Sequence, residues 1–294
     1  MGDEAGDMTE LEAWVGRRSS MVAVLDPGPA NELAVTLDRD PAYRVGDALP
    51  PGWHWAYFHD LVRASDLGPD GHPRLGLTMP PLGLPRRMWA GGSLRFEGSL
   101  RCGEQAERVS TIRSITPKTG RSGPLCFVEL EHEISVDGRT RLVERQSIVY
   151  RGAVGETAAT PGTGADHSPE PAAPREPDAS DQATHRLDAT TLFRYSAVTF
   201  NGHRIHYDLD HARRVEGYPG LVIHGTLVAT LLLDRCVAVA RPLGWFRYRA
   251  VRPLCLPDPF TTHMSVDGDS TRLWATDASG AVAMEAEAGP VDPP

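Results

Sequence analysis

One apolar segment in the last third of this 294-residue chain constrains its fold more than any other feature. Residues 224–240 carry hydrophobic side chains at almost every position, and the Pro219-Gly220 pair interrupts the chain just before them. A helix that is apolar on most sides must be surrounded by protein. The continuous apolar run within it is also far shorter than the roughly 20 residues that cross a bilayer. The sequence therefore predicts a central buried helix and no membrane span.

Strand-like segments lie on both sides of this helix. Between residues 128 and 134 apolar side chains alternate with glutamate, which is the period-two signature of a half-buried strand. The Asp137-Gly138 pair fits a hairpin turn. The segments interpreted as strands are residues 93–100, 128–134, 141–150, 191–199, 246–252, 260–266, 273–275 and 282–286. One helix wrapped by a curved antiparallel sheet is an α+β arrangement called a hot-dog fold, and two such halves predict a double hot-dog.

A polar stretch divides the chain into two parts. Residues 152–185 are mainly Gly, Ala, Thr, Pro, Ser and acidic residues, which offer almost nothing to bury. Such a stretch cannot offset its ordering entropy, so we predict a flexible linker. It separates an N-terminal half, residues 1–151, from a C-terminal half, residues 186–294. The sequences of the halves show no repeat strong enough to prove duplication.

Composition and charge exclude several classes of function. The net charge of −9 repels phosphate backbones, so nucleic acid is not an expected partner. The first seven residues are acidic and contain no apolar stretch, so we do not expect a secretory signal. The four cysteines are far apart and form no Cys-x-x-Cys pair of the kind that binds zinc. We therefore predict a cytoplasmic protein without a metal site.

Polar residues that carry chemistry are concentrated between residues 195 and 227. Hydration of a double bond conjugated to a thioester needs a base, an acid and donors that stabilise charge on the carbonyl oxygen. The imidazole of His206 can act as the base. Asn201 can position the water or the thioester, but a neutral amide cannot take a proton. Gly225 opens the apolar helix, where a free backbone N–H is a candidate oxyanion donor.

Five further residues of this region are predicted to bind the substrate: Arg194, His203, Arg204, Tyr207 and His224. The arginines can hold the phosphates of coenzyme A, although such arginines more often form a solvated face. His224 has the alternative role of a structural brace for the loop before the helix. Both interpretations stay open for these side chains.

The motif from Asn201 to Asp208, followed by the apolar helix, resembles the MaoC-like, or type 2, enoyl-thioester hydratases. Their motif is Asp-x-Asn-Pro-aliphatic-His, in which the Asp and the His share the catalytic water. His206 matches the final His, whereas Asn201 stands in place of the Asp and His203-Arg204 in place of Asn-Pro. The motif therefore lacks its carboxylate.

One branch of that family is more similar: the two-domain proteins that include hydratases of mesaconyl-C4-CoA and itaconyl-CoA and the mitochondrial type 2 dehydratases. The stretch from Leu49 to Phe58 also resembles their N-terminal domain. The resemblance implies a double hot-dog with one active site, in which the N-terminal half shapes the acyl pocket. It implies reversible hydration of an enoyl-CoA, with a short branched dicarboxylic acyl group such as mesaconyl or itaconyl. No cofactor is implied, and a homodimer is a further expectation.

Three other functions remain open at the level of sequence. A dehydratase of acyl chains on a carrier protein predicts a long apolar tunnel and a basic rim. A catalytically silent acyl-thioester-binding subunit is kept open by Asn201 in place of Asp. A thioesterase on this fold would place a carboxylate on the helix, where Asp234 is the only nearby candidate.

Overall fold

The computed structural model describes residues 8–120, 123–152, 181–238 and 243–290. The described residues contain ten strands: β1 (Arg18–Val24), β2 (Arg86–Phe96), β3 (Gln105–Gly120), β4 (Gly123–Val136), β5 (Arg139–Arg151), β6 (Asp181–His185), β7 (Trp245–Ala250), β8 (Phe260–Asp267), β9 (Ser270–Thr276) and β10 (Val282–Gly289). They also contain five α-helices: α1 (Met8–Glu12), α2 (Pro27–Thr36), α3 (Ala189–Val198), α4 (Leu209–Arg214) and α5 (Gly225–Ala238). Within these ranges no helix has the length and apolarity needed to cross a membrane.

All ten strands form one antiparallel sheet, in the order β1-β3-β4-β5-β2-β7-β10-β9-β8-β6. In the N-terminal half the strands lie in the order β1-β3-β4-β5-β2, which is first, third, fourth, fifth and second in the chain. In the C-terminal half the strands lie in the order β7-β10-β9-β8-β6, which is second, fifth, fourth, third and first, the same order in reverse. The two halves therefore share one topology about a pseudo-two-fold axis at the β2–β7 pair. This arrangement confirms the predicted α+β double hot-dog.

Glycines make the contact between the two halves of the sheet. A Cβ atom added at Gly91 would lie 2.5 Å from the carbonyl oxygen of Tyr248. At Gly92 it would lie 2.4 Å from the carbonyl oxygen of Arg145 on β5. Real Cβ contacts are longer than this, so β2 can approach both β5 and β7 only because two glycines are present.

The buried helix predicted from residues 224–240 is α5, and its predicted last two residues lie outside the described part of the chain. Leu227, Leu232 and Leu233 have no exposed surface. The helix packs against β7, β8, β9 and β10, which curve around it. The prediction of an apolar helix surrounded by sheet is confirmed. In the N-terminal half, α2 occupies the corresponding place in the chain order, after the first strand.

Most strand predictions are confirmed, and the hairpin is confirmed with them. Asp137 and Gly138 connect β4 to β5, and both have positive φ angles, 49° and 70°. Most of the predicted linker lies outside the described residues. Its last part, residues 181–185, forms the edge strand β6 paired with β8, so the second half begins earlier than residue 186. The ring of His185 stacks on Phe260, a contact that the polar sequence of this strand does not indicate.

Candidate active site

The segment before the motif is helix α3, so the strand predicted at residues 191–199 is wrong. Asp188 caps the helix by accepting a hydrogen bond of 2.8 Å from the backbone N–H of Thr191. The buried side chains Leu192, Tyr195 and Ser196 recur with helical spacing. The β-branched residues of this segment favour a strand in isolation, but the cap and the packing of α3 on α2 outweigh that preference.

The motif itself forms a compact loop between two helices. After α3 the chain turns at Phe200, whose φ is 53°, and the N–H of Asn201 bonds back to the carbonyl oxygen of Ser196 at 2.8 Å. A single 3₁₀ turn spans Arg204–His206, and the side chain of Asp208 caps α4. Because both ends of the loop are bound to helix termini, its side chains are held in defined positions.

His206 lies buried at the end of the 3₁₀ turn, with 6% of its surface exposed. Its Nδ1 is 2.7 Å from the carbonyl oxygen of Val222. A carbonyl oxygen only accepts, so Nδ1 carries the proton and the lone pair is on Nε2. Burial lowers the pKa of His206 to about 4, although the bond to Val222 opposes that shift. The ring is therefore a neutral base at pH 7.

The predicted role of His206 as the catalytic base, combined with its low pKa, gives an expected pH dependence of activity. The base is active when neutral, so kcat/KM should stay constant as the pH falls and decline only near pH 4, well below the ordinary imidazole range. Measuring kcat/KM from pH 8 downwards, with circular dichroism to verify folding at each pH, tests this. An inflection near the ordinary imidazole pKa would show that the working ring is solvated, and would contradict the buried geometry.

His224 holds the ring of His206 in place. The two rings stack with centroids 3.6 Å apart and an interplanar angle of 17°. Nε2 of His224 lies 2.8 Å from the hydroxyl oxygen of Ser196 on α3. Burial, and then the neighbouring histidines, hold the pKa of His224 well below its usual value, so this ring is neutral too. These contacts agree with the predicted alternative role of His224 as a structural brace, while substrate binding by His224 stays a prediction.

Gly225 follows His224 directly and begins α5. Its N–H therefore lies one residue from the ring that covers His206. Trp89 of β2 lines this position from the N-terminal half, since a Cβ added at Gly225 would lie 3.4 Å from Cε3 of Trp89. Trp89 also packs edge to face against Trp55, at 5.4 Å between centroids. The start of α5 therefore lies next to an aromatic wall, formed by Trp89 and Trp55, from the N-terminal half.

Asn201 lies half-buried at the start of the motif. Its Oδ1 accepts a hydrogen bond of 3.0 Å from the backbone N–H of His203, which closes an Asx turn. One lone pair of the amide oxygen is therefore engaged, and the amide nitrogen is a donor that can hold a water molecule. The role of Asn201 in orienting water stays a prediction.

The other predicted binding residues mostly have structural contacts. Arg204 donates through Nε and Nη2 to Asp208, at 3.1 and 2.7 Å, and through Nη1 to the carbonyl oxygen of Pro69 at 2.9 Å. The hydroxyl of Tyr207 is exposed and donates to the carbonyl oxygen of Gly202. Arg194 lies on the exposed side of α3. Binding of coenzyme A phosphates by the two arginines, and substrate binding by Tyr207, stay predictions.

A loop from the N-terminal half docks onto the motif, and sequence analysis missed it. The backbones of Gly71 and Gly202 touch: a Cβ at Gly71 would lie 2.0 Å from the oxygen of Gly202, and one at Gly202 would lie 2.6 Å from the oxygen of Gly71. Gly71 also has a φ of 88°, which favours glycine. The N–H of Arg204 donates to the carbonyl oxygen of Asp70 at 2.9 Å. The Gly-Pro-Asp-Gly sequence predicts a turn, but nothing local indicates its partner.

This loop brings Asp70 and His72 next to His203. The rings of His72 and His203 are 4.7 Å apart between centroids, and His203 is 5.6 Å from His206 by the same measure. Asp70, His72 and His203 each offer a ligand atom within 4.8 Å of the others, a spacing from which a cation can be bound. However, Nε of Arg87 lies 3.2 Å from Oδ2 of Asp70, and this positive charge opposes a divalent cation.

The sequence is similar to one known family and to several known proteins. The family model described as hydroxyacyl-thioester dehydratase type 2 matches residues 52–256. The mesaconyl-C(4)-CoA hydratase of Chloroflexus aurantiacus is 40% identical over 278 residues, which cover 93% of this chain and 95% of the relative. The mitochondrial hydroxyacyl-thioester dehydratase type 2 of Schizosaccharomyces pombe is 25% identical over 243 residues, or 77% of this chain and 80% of the relative.

Solved structures with low sequence identity share the fold. A MaoC-like dehydratase from Phytophthora capsici matches with a TM-score of 0.66 at 12% identity, covering 98% of this chain and all of the other. HtdX of Mycobacterium tuberculosis matches with a TM-score of 0.63 at 16% identity, covering 92% and 99%. A second M. tuberculosis protein, described as a double hot-dog, matches at 0.55 and 14%, covering 94% and 96%. These matches confirm the double hot-dog fold.

Proposed function

This chain belongs to the hydroxyacyl-thioester dehydratase type 2 family and is a hydro-lyase of acyl thioesters, and from this premise we propose that His206 is its catalytic base. The observation that carries the proposal is the hydrogen bond from Nδ1 of His206 to the carbonyl oxygen of Val222. It places the lone pair on Nε2, and the stacked ring of His224 keeps that nitrogen in one orientation.

Hydration then proceeds with one histidine as both base and acid. Nε2 of His206 takes a proton from water as the water oxygen bonds to the β-carbon of the enoyl group. The electron pair of the double bond moves towards the thioester oxygen, and the imidazolium then returns its proton to the α-carbon. Burial disfavours the imidazolium, which the lowered pKa reflects, so the proton is readily given back. Dehydration is the same path in reverse.

Two neighbouring groups assist this step. The N–H of Gly225 at the start of α5 stabilises negative charge on the thioester oxygen, because the first N–H groups of a helix have no intrahelical partner. The amide nitrogen of Asn201 holds the attacking water. The base, the oxyanion donor and the water ligand all come from the chain itself, so we propose that no cofactor is needed beyond the coenzyme A of the substrate.

The proposed substrate is an enoyl-CoA with a short branched dicarboxylic acyl group. Support comes from the relative of C. aurantiacus, a mesaconyl-C(4)-CoA hydratase that matches nearly the whole chain at 40% identity. Trp89 and Trp55 contribute an aromatic wall from the N-terminal half. This wall supports the proposal that the N-terminal half shapes the acyl pocket while the C-terminal half carries the catalytic residues. The homodimer and the cytoplasmic location stay predictions.

Two of the alternative functions have less support. Asp234, the carboxylate considered for a thioesterase, forms an ion pair with Arg39 of the N-terminal half. A carrier-protein dehydratase would need a basic rim, whereas exposed arginines of the sheet are paired with glutamates, as in Arg247–Glu287 and Arg249–Glu285. Neither feature favours these functions over hydration of a CoA ester.

Turnover of two CoA esters tests the proposed function. Purified protein is expected to hydrate crotonyl-CoA and mesaconyl-C4-CoA, measured as loss of absorbance of the conjugated thioester. A parallel assay for free thiol should detect no release of coenzyme A. Release of thiol at the same rate as the loss of absorbance would identify a thioesterase. Faster turnover of the same acyl group attached to a carrier protein would identify the carrier-protein dehydratase. Binding of the CoA esters without turnover would identify a binding subunit.

A further inference from the structure

Among the buried side-chain atoms that have no hydrogen-bond partner within the described residues, two lie beside Arg87. One is Nε2 of His203, a residue 5% exposed, and the other is the hydroxyl of Tyr150 on β5, a residue 1% exposed. Leaving a buried polar group unpaired costs about 1–3 kcal/mol. Two such atoms at one place indicate that a polar ligand completes their hydrogen bonding.

Arg87 of β2 connects these two atoms. Arg87 and Tyr150 are cross-strand partners on β2 and β5. The charge of the guanidinium offsets part of the rise in the Tyr150 pKa that burial causes. The same charge adds to burial and to His206 in lowering the pKa of His203. A single cation, itself only 12% exposed, therefore lies close to both unpaired groups.

Asp70 compensates the charge of Arg87 in the structure. Oδ2 of Asp70 accepts from Nε of Arg87 at 3.2 Å, and Oδ1 accepts from the backbone N–H of His72 at 3.1 Å. Both carboxylate oxygens are engaged. A guanidinium has five N–H donors, and Nε is only one of them, so Asp70 orients Arg87 and leaves other donors for a ligand.

We propose that Arg87, Tyr150 and His203 form a subsite that binds a second, free carboxylate of the acyl group; this rests on the proposed function. A buried carboxylate needs a cation and neutral donors, which are the groups gathered here. The subsite borders the base, since His203 and His206 have ring centroids 5.6 Å apart. A carboxylate on the carbon that water attacks would lie at this distance from the base. The subsite thus selects acyl groups with a carboxylate at that end.

The test compares a substrate with the carboxylate and one without it. Tyr150→Phe removes only the hydroxyl and is expected to lower kcat/KM for mesaconyl-C4-CoA by about 10- to 100-fold. The value for crotonyl-CoA should stay near that of the wild type. Tyr43→Phe is the matched control, because Tyr43 lies near Arg39 and Asp234, towards the far end of α5. It should leave both substrates unaffected.

The arginine is tested as a neutral pair, because Arg87→Gln alone would leave Asp70 without its partner. The double variant Arg87→Gln/Asp70→Asn keeps the oxygen that accepts from His72 and should lose at least about 100-fold on mesaconyl-C4-CoA only. Equal losses on both substrates in either variant would overturn the subsite and indicate a structural role. The subsite would also be overturned if the wild-type enzyme had no higher kcat/KM for mesaconyl-C4-CoA than for crotonyl-CoA. That result would leave the hydratase function intact.

Binding of saturated analogues separates the subsite from catalysis. Methylsuccinyl-CoA and butyryl-CoA cannot be hydrated, so calorimetry reads only their affinity. The wild type should bind methylsuccinyl-CoA more tightly, and Tyr150→Phe should remove most of that preference. If neither enoyl ester is turned over, the proposed function fails, but a preference that depends on Tyr150 still supports the subsite. Equal affinities for the two analogues would overturn it.

Discussion

Replacing His206 by alanine is expected to lower kcat for hydration by about 10²- to 10⁴-fold, the usual contribution of a positioned general base. The reason is structural: Nδ1 is bonded to Val222 and the ring lies on His224, so the lone pair on Nε2 has one fixed direction. Asn201 cannot replace it, since an amide takes no proton, and Nε2 of His224 is engaged by the hydroxyl of Ser196. Absorbance of mesaconyl-C4-CoA measures the loss.

Two controls make this result specific to the base. His263→Ala removes another partly buried histidine, one that stacks on Trp274 of β9 and lies outside the motif, and should keep the wild-type rate. The His206→Ala protein should also bind methylsuccinyl-CoA with nearly wild-type affinity, because the carboxylate subsite and the aromatic wall are intact. A variant that retains more than a tenth of the wild-type kcat would remove His206 from the mechanism.

Removing the carboxylate of Glu144 is expected to cost about 3–5 kcal/mol of folding free energy. This side chain is buried on β5 and accepts from three neighbours: Nε2 of His54 at 3.0 Å, Nε1 of Trp55 at 2.8 Å and Nε2 of Gln146 at 2.9 Å. Glu144→Ala leaves these donors buried without an acceptor. Urea denaturation of the variant and the wild type at pH 7 measures the difference.

The pH dependence of stability gives a second measurement of the same group. Burial alone would raise the pKa of Glu144, but the charge and hydrogen bond of His54 outweigh it and hold the pKa at about 2. A depressed carboxyl pKa stabilises the folded state above the unfolded pKa, and the stabilisation is lost as the pH falls towards the folded pKa. Wild-type stability should therefore decline between about pH 4.5 and pH 2, and that of Glu144→Ala should decline less.

An exposed ion pair is the control for Glu144. Glu287 pairs with Arg247 at 3.1 Å, and both side chains are about half exposed. Glu287→Ala is expected to cost no more than about 1 kcal/mol. If Glu144→Ala costs as little as this control, the buried carboxylate is not an important source of stability, and the charge assigned to it is wrong.

Much of the fold follows from local patterns. The apolar run of α5, the alternation in β4 and the Asp137-Gly138 turn are each readable over a few residues, because burial of one face and a positive φ leave local signatures. The error at α3 has the same origin. Its β-branched residues indicate a strand, whereas the Asp188 cap and the packing against α2 stabilise a helix.

The sequence by itself determined the double hot-dog class, the central helix and the motif with His206, because these depend on the spacing of neighbouring side chains. Only the tertiary structure decided which residues surround that histidine. Arg204 contacts Pro69 across 135 residues of chain, and the close approach of Gly71 and Gly202 carries Asp70 and His72 with it. Such contacts depend on how two halves pack, and no local pattern of apolar and polar residues records them.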